Sequence, residues 1–363
     1  MLTLTLPIGN PRARDYDSSV NADEQQHRGR RPVNMLDVAR VAGVSHQTVS
    51  RVLNGSTAVK DATRRRVNDA IDQLGYRRNL AARALATHRS KTIGVVCFDS
   101  TLYGPASMLY AIEHAAREAG YYVSVASEPS IDSTTLPQAL RRLEEQSVEG
   151  VVVIAPLSET RQALLRLRGD MPIVAVDGTG GLGLPTVSVD QFDGARQVTR
   201  HLLDQGASNV WHVTGADGWI ETDARLAGWR EELAANGRSA PEPLRGNWSP
   251  SSGYQAGIEL AGRPEVDAIF VANDQMALGL LRAFAEAGRS VPDDVLVAGF
   301  DDVPEAEFYS PPLTTVRQDF PTVGRMSLEM LIGRIDGDGG RVTTQEPTLV
   351  PAQLVIRQST RRH

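Results

Sequence analysis

The sequence predicts an α/β chain in which a small all-α module precedes two doubly wound parallel-sheet subdomains. Three observations lead there. Between Met35 and Gly75, apolar residues recur at helical spacing in three short blocks. After Lys91 the texture changes to β-branched apolar runs alternating with helical stretches, the pattern of parallel strands covered on both faces. Nine such runs are more than one sheet comfortably holds, so two side-by-side sheets with a cleft between them are expected.

Taken in order, residues 1–32 are polar, rich in Arg, Asp and Gln, and aperiodic, which reads as a disordered tail. From Met35 the positions Val38, Ala39 and Ala42 keep one helical face as far as Gly43, a stop signal. Ser45 then caps a second helix that runs through Leu53, joined to the first by the tight turn AGVS. A third helix is expected from about Ala62 to Leu74, with Val67, Ala70, Ile71 and Leu74 on one face and Gly75 ending it. The strand runs TIGVVCF, YYVSVAS, GVVVIAP, PIVAVD and TVSVD follow, then NVWHVTG, VDAIFVAND, DVLVAGF and LTTVRQ. In such sheets ligands bind beyond the carboxyl ends of strands, and Asp177, Asn273, Asp274, Asp301 and Asp302 all fall there.

Charge is divided unevenly along the chain. The whole carries −6, yet between Arg28 and Lys91 fourteen basic residues face four acidic ones, a local +10, which leaves −16 on the remainder. A polyanion is therefore the natural partner of the first part alone. Two helices joined by a tight Gly-containing turn form a helix-turn-helix, whose second helix presents its N-terminal residues to base edges of double-stranded DNA. His46, Gln47 and Arg51 project from one side of that helix. Gln offers a donor–acceptor pair suited to adenine, and Arg a donor fork suited to guanine. Ser45, Thr48, Ser50 and Asn54 stand beside them as phosphate contacts, as does the run from Arg64 to Arg66. A solvated surface helix is the plainer reading of the same residues, and the local +10 argues against it.

Other classes find little support. There is no GxSxG, HExxH or GxxxxGK[ST], and the seven histidines show no ligand spacing, so neither an enzyme nor a metal or cofactor is expected. His212 alternates within a strand and reads as core, as does Cys97, the one cysteine, inside IGVVCF. No apolar run is long enough for a bilayer, and the start MLTLTLPIGNPRARD has no basic segment before its apolar residues. A cytoplasmic protein without membrane partners is expected.

The stretch LDVARVAGVSHQTVSRVLNG resembles the DNA-binding headpiece of the LacI/GalR family of bacterial transcription regulators. RLAGW, NWSPSSGY, VANDQMALG and YSPPLTTVRQDF extend the resemblance over nearly all the chain beyond the tail. It implies a headpiece at 33–78, a hinge at 79–90 and a periplasmic-binding-protein-like core of type I at 91–363. The core's N-subdomain would take about 91–189 and 320–346, and its C-subdomain about 190–317 and 347–363. The hinge NLAARALA would bring Asn79, Ala82 and Leu85 to the minor groove, with Leu85 wedging between base steps. Arg78 precedes Asn79 where the family often has Pro.

In the core the resemblance implies a sugar site. Trp248 would stack on the sugar, while Arg225, Asn273 and Asp301 bind hydroxyls. Asp177, Gln318 and Phe320 would complete that side, and Leu102, Gly104, Pro105 and Met108 would form an apolar patch opposite. Trp219, Ile220 and Glu221, just before Arg225, depart from the small, Ser-rich pattern expected there. The function implied is a repressor that a sugar, with galactosides as candidates, releases from its operator. The alternatives are a regulator using a nucleobase or phosphosugar corepressor, and a sugar receptor with no DNA role. No apolar heptad tail follows LVIRQSTRRH, so a homodimer is expected.

Overall fold

Asn34 begins the first helix by accepting hydrogen bonds from the backbone N–H groups of Leu36 and Asp37 at 3.0 and 3.1 Å, while Asp37 accepts from the Asn34 N–H at 3.1 Å. This reciprocal capping box supplies donors that helix geometry leaves unpaired. The structure is a computed structural model and describes residues 33–77, 89–98, 101–166, 170–177, 184–337 and 346–361. The expected tail at 1–32 and all but the last two residues of the expected hinge at 79–90, with Asn79, Ala82 and Leu85, lie outside the described residues. The chain divides into two compact units, 1–82 and 83–363.

In the first unit, α1 (Met35–Ala42) ends at Gly43 with φ +62°, a left-handed conformation that glycine adopts without strain. Helix α2 (His46–Leu53) follows, then α3 (Asp61–Leu74). Val38, Ala39 and Ala42 of α1, Val49 and Val52 of α2, and Val67 and Ala70 of α3 make its small core.

The second unit holds two parallel sheets. The first contains β1 (Thr92–Phe98), β2 (Tyr122–Glu128), β3 (Val151–Ile154), β4 (Ile173–Val176), β5 (Thr186–Val189) and β11 (Thr348–Val350), in the order β11-β5-β4-β3-β1-β2. The second contains β6 (Trp211–Thr214), β7 (Leu244–Arg245), β8 (Ala268–Val271) and β9 (Leu296–Ala298), in the order β7-β6-β8-β9. Helices α4 (Tyr103–Glu118), α5 (Thr135–Glu145), α6 (Ser158–Arg166) and α11 (Phe320–Ile335) accompany the first sheet. Helices α7 (Gln191–Asp204), α8 (Ile220–Ala235), α9 (Pro250–Ala261) and α10 (Asp274–Glu286) accompany the second. The chain crosses between lobes after β5, after β10 (Thr315–Arg317) and after β11, and β12 (Gln353–Val355) then pairs antiparallel with β10. Because β11 pairs with β5, the last crossing falls after Val350, a few residues later than the boundary at 346 expected from the sequence.

All four residues of β3, β4, β5 and β8 are buried, as expected for strands covered on both faces. Helices α9 and α10 pack backbone against backbone at their glycines. A methyl group on Gly279 would overlap the Pro250 carbonyl, and one on Gly253 the Met276 carbonyl. Gly279→Ala should therefore destabilise the core by about 1–3 kcal/mol despite alanine's better helix propensity, read as a lower urea midpoint.

Candidate functional site

Two surfaces bring together the residues singled out by sequence, one in each unit. On α2 the apolar residues turn inward, leaving His46 and Gln47 in the first turn and Arg51 one turn later exposed. Gln47 and Arg51, four residues apart, share a face. Ser45 is occupied by the cap: its Oγ accepts from the Thr48 N–H at 3.1 Å and lies 2.9 Å from the Thr48 hydroxyl. Asn54 Nδ2 donates to Ser50 Oγ at 3.4 Å. Of the arginine run, Arg64 holds the loop after α2 by donating to the Ser56 carbonyl at 2.7 Å, while Arg65 and Arg66 are exposed.

Within the second unit a narrow cavity of about 40 Å³, room for roughly one water molecule, lies between the lobes. Pro105, Asp177, Arg225, Trp248, Asp301, Gln318 and Phe320 line it, as do Gly104, Gln191, Trp219 and Glu221. Its floor is a ring of three hydrogen bonds and one ion pair. Arg225 Nε donates to Gln191 Oε1 at 2.9 Å, Gln191 Nε2 to Gln318 Oε1 at 2.8 Å, and Gln318 Nε2 to Asp301 Oδ1 at 2.6 Å. Arg225 Nη2, 3.6 Å from Asp301 Oδ1, closes the ring. Its guanidinium also donates to the Ala272 carbonyl and sits 3.8 Å from the centre of the Phe300 ring. All four ring residues are buried, so every polar atom they commit here replaces a lost contact with water.

Backbone geometry aims these groups. Asp177, the residue after β4, has φ +58°, Trp248 has φ +70°, and Asp301 has φ +110°, uncommon conformations for non-glycine residues that concentrate at functional sites. The paired aspartates diverge. Asp301 faces the ring, whereas Asp302 binds Arg317 and Arg357 at 2.6 and 2.7 Å and fixes the crossing strands. Trp248 lies against Gly215, where any side chain would collide with the indole, and packs edge-on with Trp219 at 5.5 Å.

Three expected residues stand elsewhere. Met108 is fully buried in the apolar core, where α4 packs on the first sheet, and Leu102 packs against the second lobe's core. Asn273 caps α10 by accepting from the Met276 N–H at 2.9 Å and donates to the Trp248 carbonyl at 3.2 Å. It holds the tryptophan's backbone and does not line the cavity. Sequence reasoning did not single out Gln191. Its one available signal was its place just past the run TVSVD, at a strand's carboxyl end. His212 is core, stacked on Phe270 at 4.5 Å with Nδ1–H donating to the Phe270 carbonyl, and burial lowers its pKa to about 4. Cys97 is buried. Among the described residues no helix is long and apolar enough to cross a membrane.

Burial raises the Asp177 carboxyl to about 7 against the opposing charge of Arg225, and raises Asp301 to about 6. Glu221 rises well above its ordinary value, first through burial and then through the charge of Asp177. Burial lowers Arg225. A carboxyl that binds its proton more tightly when folded stabilises the native state below its unfolded pKa, and that contribution is lost as pH rises through the folded pKa. For Asp177 the window runs from 3.8 to about 7. Asp177→Asn, which fixes the neutral form, should therefore remove on the order of a few kcal/mol of pH dependence across that window, measured by urea unfolding against the parent chain.

A family model described as bacterial regulatory proteins, lacI family, matches residues 34–79, and one described as a periplasmic binding protein-like domain matches 199–360. The chain is 34% identical to the lactose operon repressor of Klebsiella pneumoniae over 332 residues, 91% of this chain and 93% of that one. It is similar to a solved lac repressor dimer bound to operator and the anti-inducer ONPF, with TM-score 0.80 and 33% identity over 91% of this chain and 99% of that one. A solved complex of the transcriptional regulator CelR with cellobiose matches with TM-score 0.64 and 33% identity over 91% of this chain and all of that one. An exposed row on a capped second helix, a two-lobed body with a polar ring between its sheets, and this likeness along nearly the whole length agree: the chain belongs to the lacI family of bacterial regulatory proteins.

Proposed function

We propose that this protein is a cytoplasmic transcriptional repressor that binds operator DNA as a homodimer and leaves it when a sugar occupies the cleft. The observation that carries the sugar reading is the buried ring Arg225–Gln191–Gln318–Asp301 with the Trp248 indole beside it. A pyranose offers vicinal hydroxyls, which both donate and accept, and an apolar C–H face. Those hydroxyls match a carboxylate, a guanidinium and an amide held in fixed positions, and the C–H face matches an indole.

At about 40 Å³ the cavity is smaller than a pyranose, so binding requires the lobes or their side chains to rearrange. That requirement couples occupancy to conformation. A sugar that binds a more open arrangement shifts the population toward it, and operator that favours the narrow one must weaken the sugar by the same factor. On the DNA, two copies would place α2 on half-sites of a pseudo-palindrome, with His46, Gln47 and Arg51 at base edges. Asn79, Ala82 and Leu85 are proposed to act in the minor groove between them. One solved relative is bound to operator and the anti-inducer ONPF, and another to cellobiose, in keeping with this reading. A phosphosugar corepressor is disfavoured because Asp177, Glu221 and Asp301 line the same cavity.

The test is a thermal-shift screen of sugars followed by an operator gel shift with each hit. A sugar that raises the melting temperature should release the shifted band. If sugars stabilise the core yet leave operator binding unchanged over a saturating range, the coupling is disproved.

A further inference from the structure

Carboxyl groups outnumber cations in the cleft. Three carboxyls, those of Asp177, Glu221 and Asp301, line the cavity together with one cation, Arg225. That cation is already committed to the Ala272 carbonyl, to Gln191 and to Asp301. Of the other titratable groups nearby, Asp274 is sealed behind the cavity wall, where its carboxylate accepts from the Thr315 hydroxyl at 2.6 Å and the Val303 N–H at 2.9 Å. His212 is neutral and satisfied by the Phe270 carbonyl. Neither supplies a positive charge.

Two buried polar atoms of the lining also have no hydrogen-bond partner among the described residues: Glu221 Oε2 and Trp248 Nε1. One accepts and the other donates. Each costs about 1–3 kcal/mol of desolvation until a ligand answers it. Resting on the sugar reading above, we infer that the effector is a pyranose bearing a protonated amino group, its ammonium held by Glu221 and Asp177 and one of its oxygens taking the Trp248 N–H. A neutral hydroxyl satisfies the orphaned acceptor but leaves the excess of carboxyls uncompensated, and a phosphate adds to that excess. An ammonium donates up to three charge-assisted hydrogen bonds and lets the acids ionise in place. Trp219 and Trp248, which line the cavity and pack edge to face at 5.5 Å, add an aromatic surface favourable to a cation.

Burial keeps Asp177 and Glu221 protonated beyond the ordinary carboxyl range, so binding of an ammonium should expel protons from them. The experiment is isothermal titration of the full chain with D-glucosamine and D-galactosamine, set against D-glucose, D-galactose and the N-acetylated amines, in two buffers of different ionisation enthalpy. The amines should bind at least tenfold more tightly than their neutral parents and N-acetyl forms, with proton release. Glu221→Gln, which keeps the side chain's shape, should lose that tenfold preference, so that amines and neutral parents bind with similar affinity. Neutral parents or N-acetyl forms binding as tightly as the amines would overturn the inference and leave the sugar site standing. Binding of no sugar, charged or neutral, would overturn the site reading itself.

Discussion

Arg225→Ala is expected to abolish the effector response, with a loss of affinity of a hundredfold or more, while operator binding in the absence of effector persists. The residue is the hub of the cleft. It donates to Gln191, to the Ala272 carbonyl and toward Asp301, and its guanidinium sits 3.8 Å from the centre of the Phe300 ring. Truncation leaves the Asp301 carboxylate buried beside Asp177 and Glu221 with no cation among them, which costs about 3–5 kcal/mol when a buried pair is broken on one side. The affected carboxyls should respond by holding their protons to still higher pH. Arg225→Lys separates charge from shape, because lysine restores the cation but not the planar fork that serves two acceptors at once. It should recover most of the stability and little of the affinity. Urea unfolding and sugar titration on the two variants check both statements. Equal sugar affinity in Arg225→Lys and the parent chain would show that charge alone sustains the site.

Much of this was legible in the sequence, for reasons that differ between elements. The three helices of the first unit were readable because their punctuation is local: Gly43 and Gly75 end helices in left-handed conformations, and Ser45 caps the next. Strands β3, β4, β5 and β8 announced themselves as continuous apolar runs because both of their faces are buried. Strand β7, two residues long, carried no such signal, and neither did β11 or β12, whose short partly exposed segments are strands only because a distant partner pairs with them. The cleft was half legible. Strand-end aspartates follow from topology, so Asp177 and Asp301 could be anticipated. Gln191 could not, because what makes it functional is its hydrogen bond to Gln318, 127 residues away. Resemblance drew Met108 and Asn273 into the ligand site, and the structure gives them other work: one fills the core and the other holds the loop that carries Trp248.

The second large effect belongs to the other unit. Arg51→Ala should weaken binding to the preferred operator by about 1–3 kcal/mol, roughly ten- to a hundredfold, and relax the sequence preference at one base pair of each half-site. The expectation rests on position. Arg51 is exposed on the face it shares with Gln47, while Val49 and Val52 fix that face by burial in the small core. An arginine fork aimed at guanine is bidentate, so its removal penalises one sequence over others. Arg65 and Arg66 on α3 are equally exposed, but a basic side chain that meets phosphate reads charge and not sequence. Arg65→Ala should therefore weaken all duplexes alike and lower the salt slope by about one, with the preferred operator still ranked first. Titrations of each variant against operator and scrambled duplex at several salt concentrations separate the two outcomes. Sugar affinity should be unchanged in both, since each substitution lies in the compact unit that does not contain the cleft. An Arg51→Ala protein that loses affinity equally for operator and scrambled duplex would reassign Arg51 to the phosphate backbone and leave Gln47 and His46 as the base-reading pair.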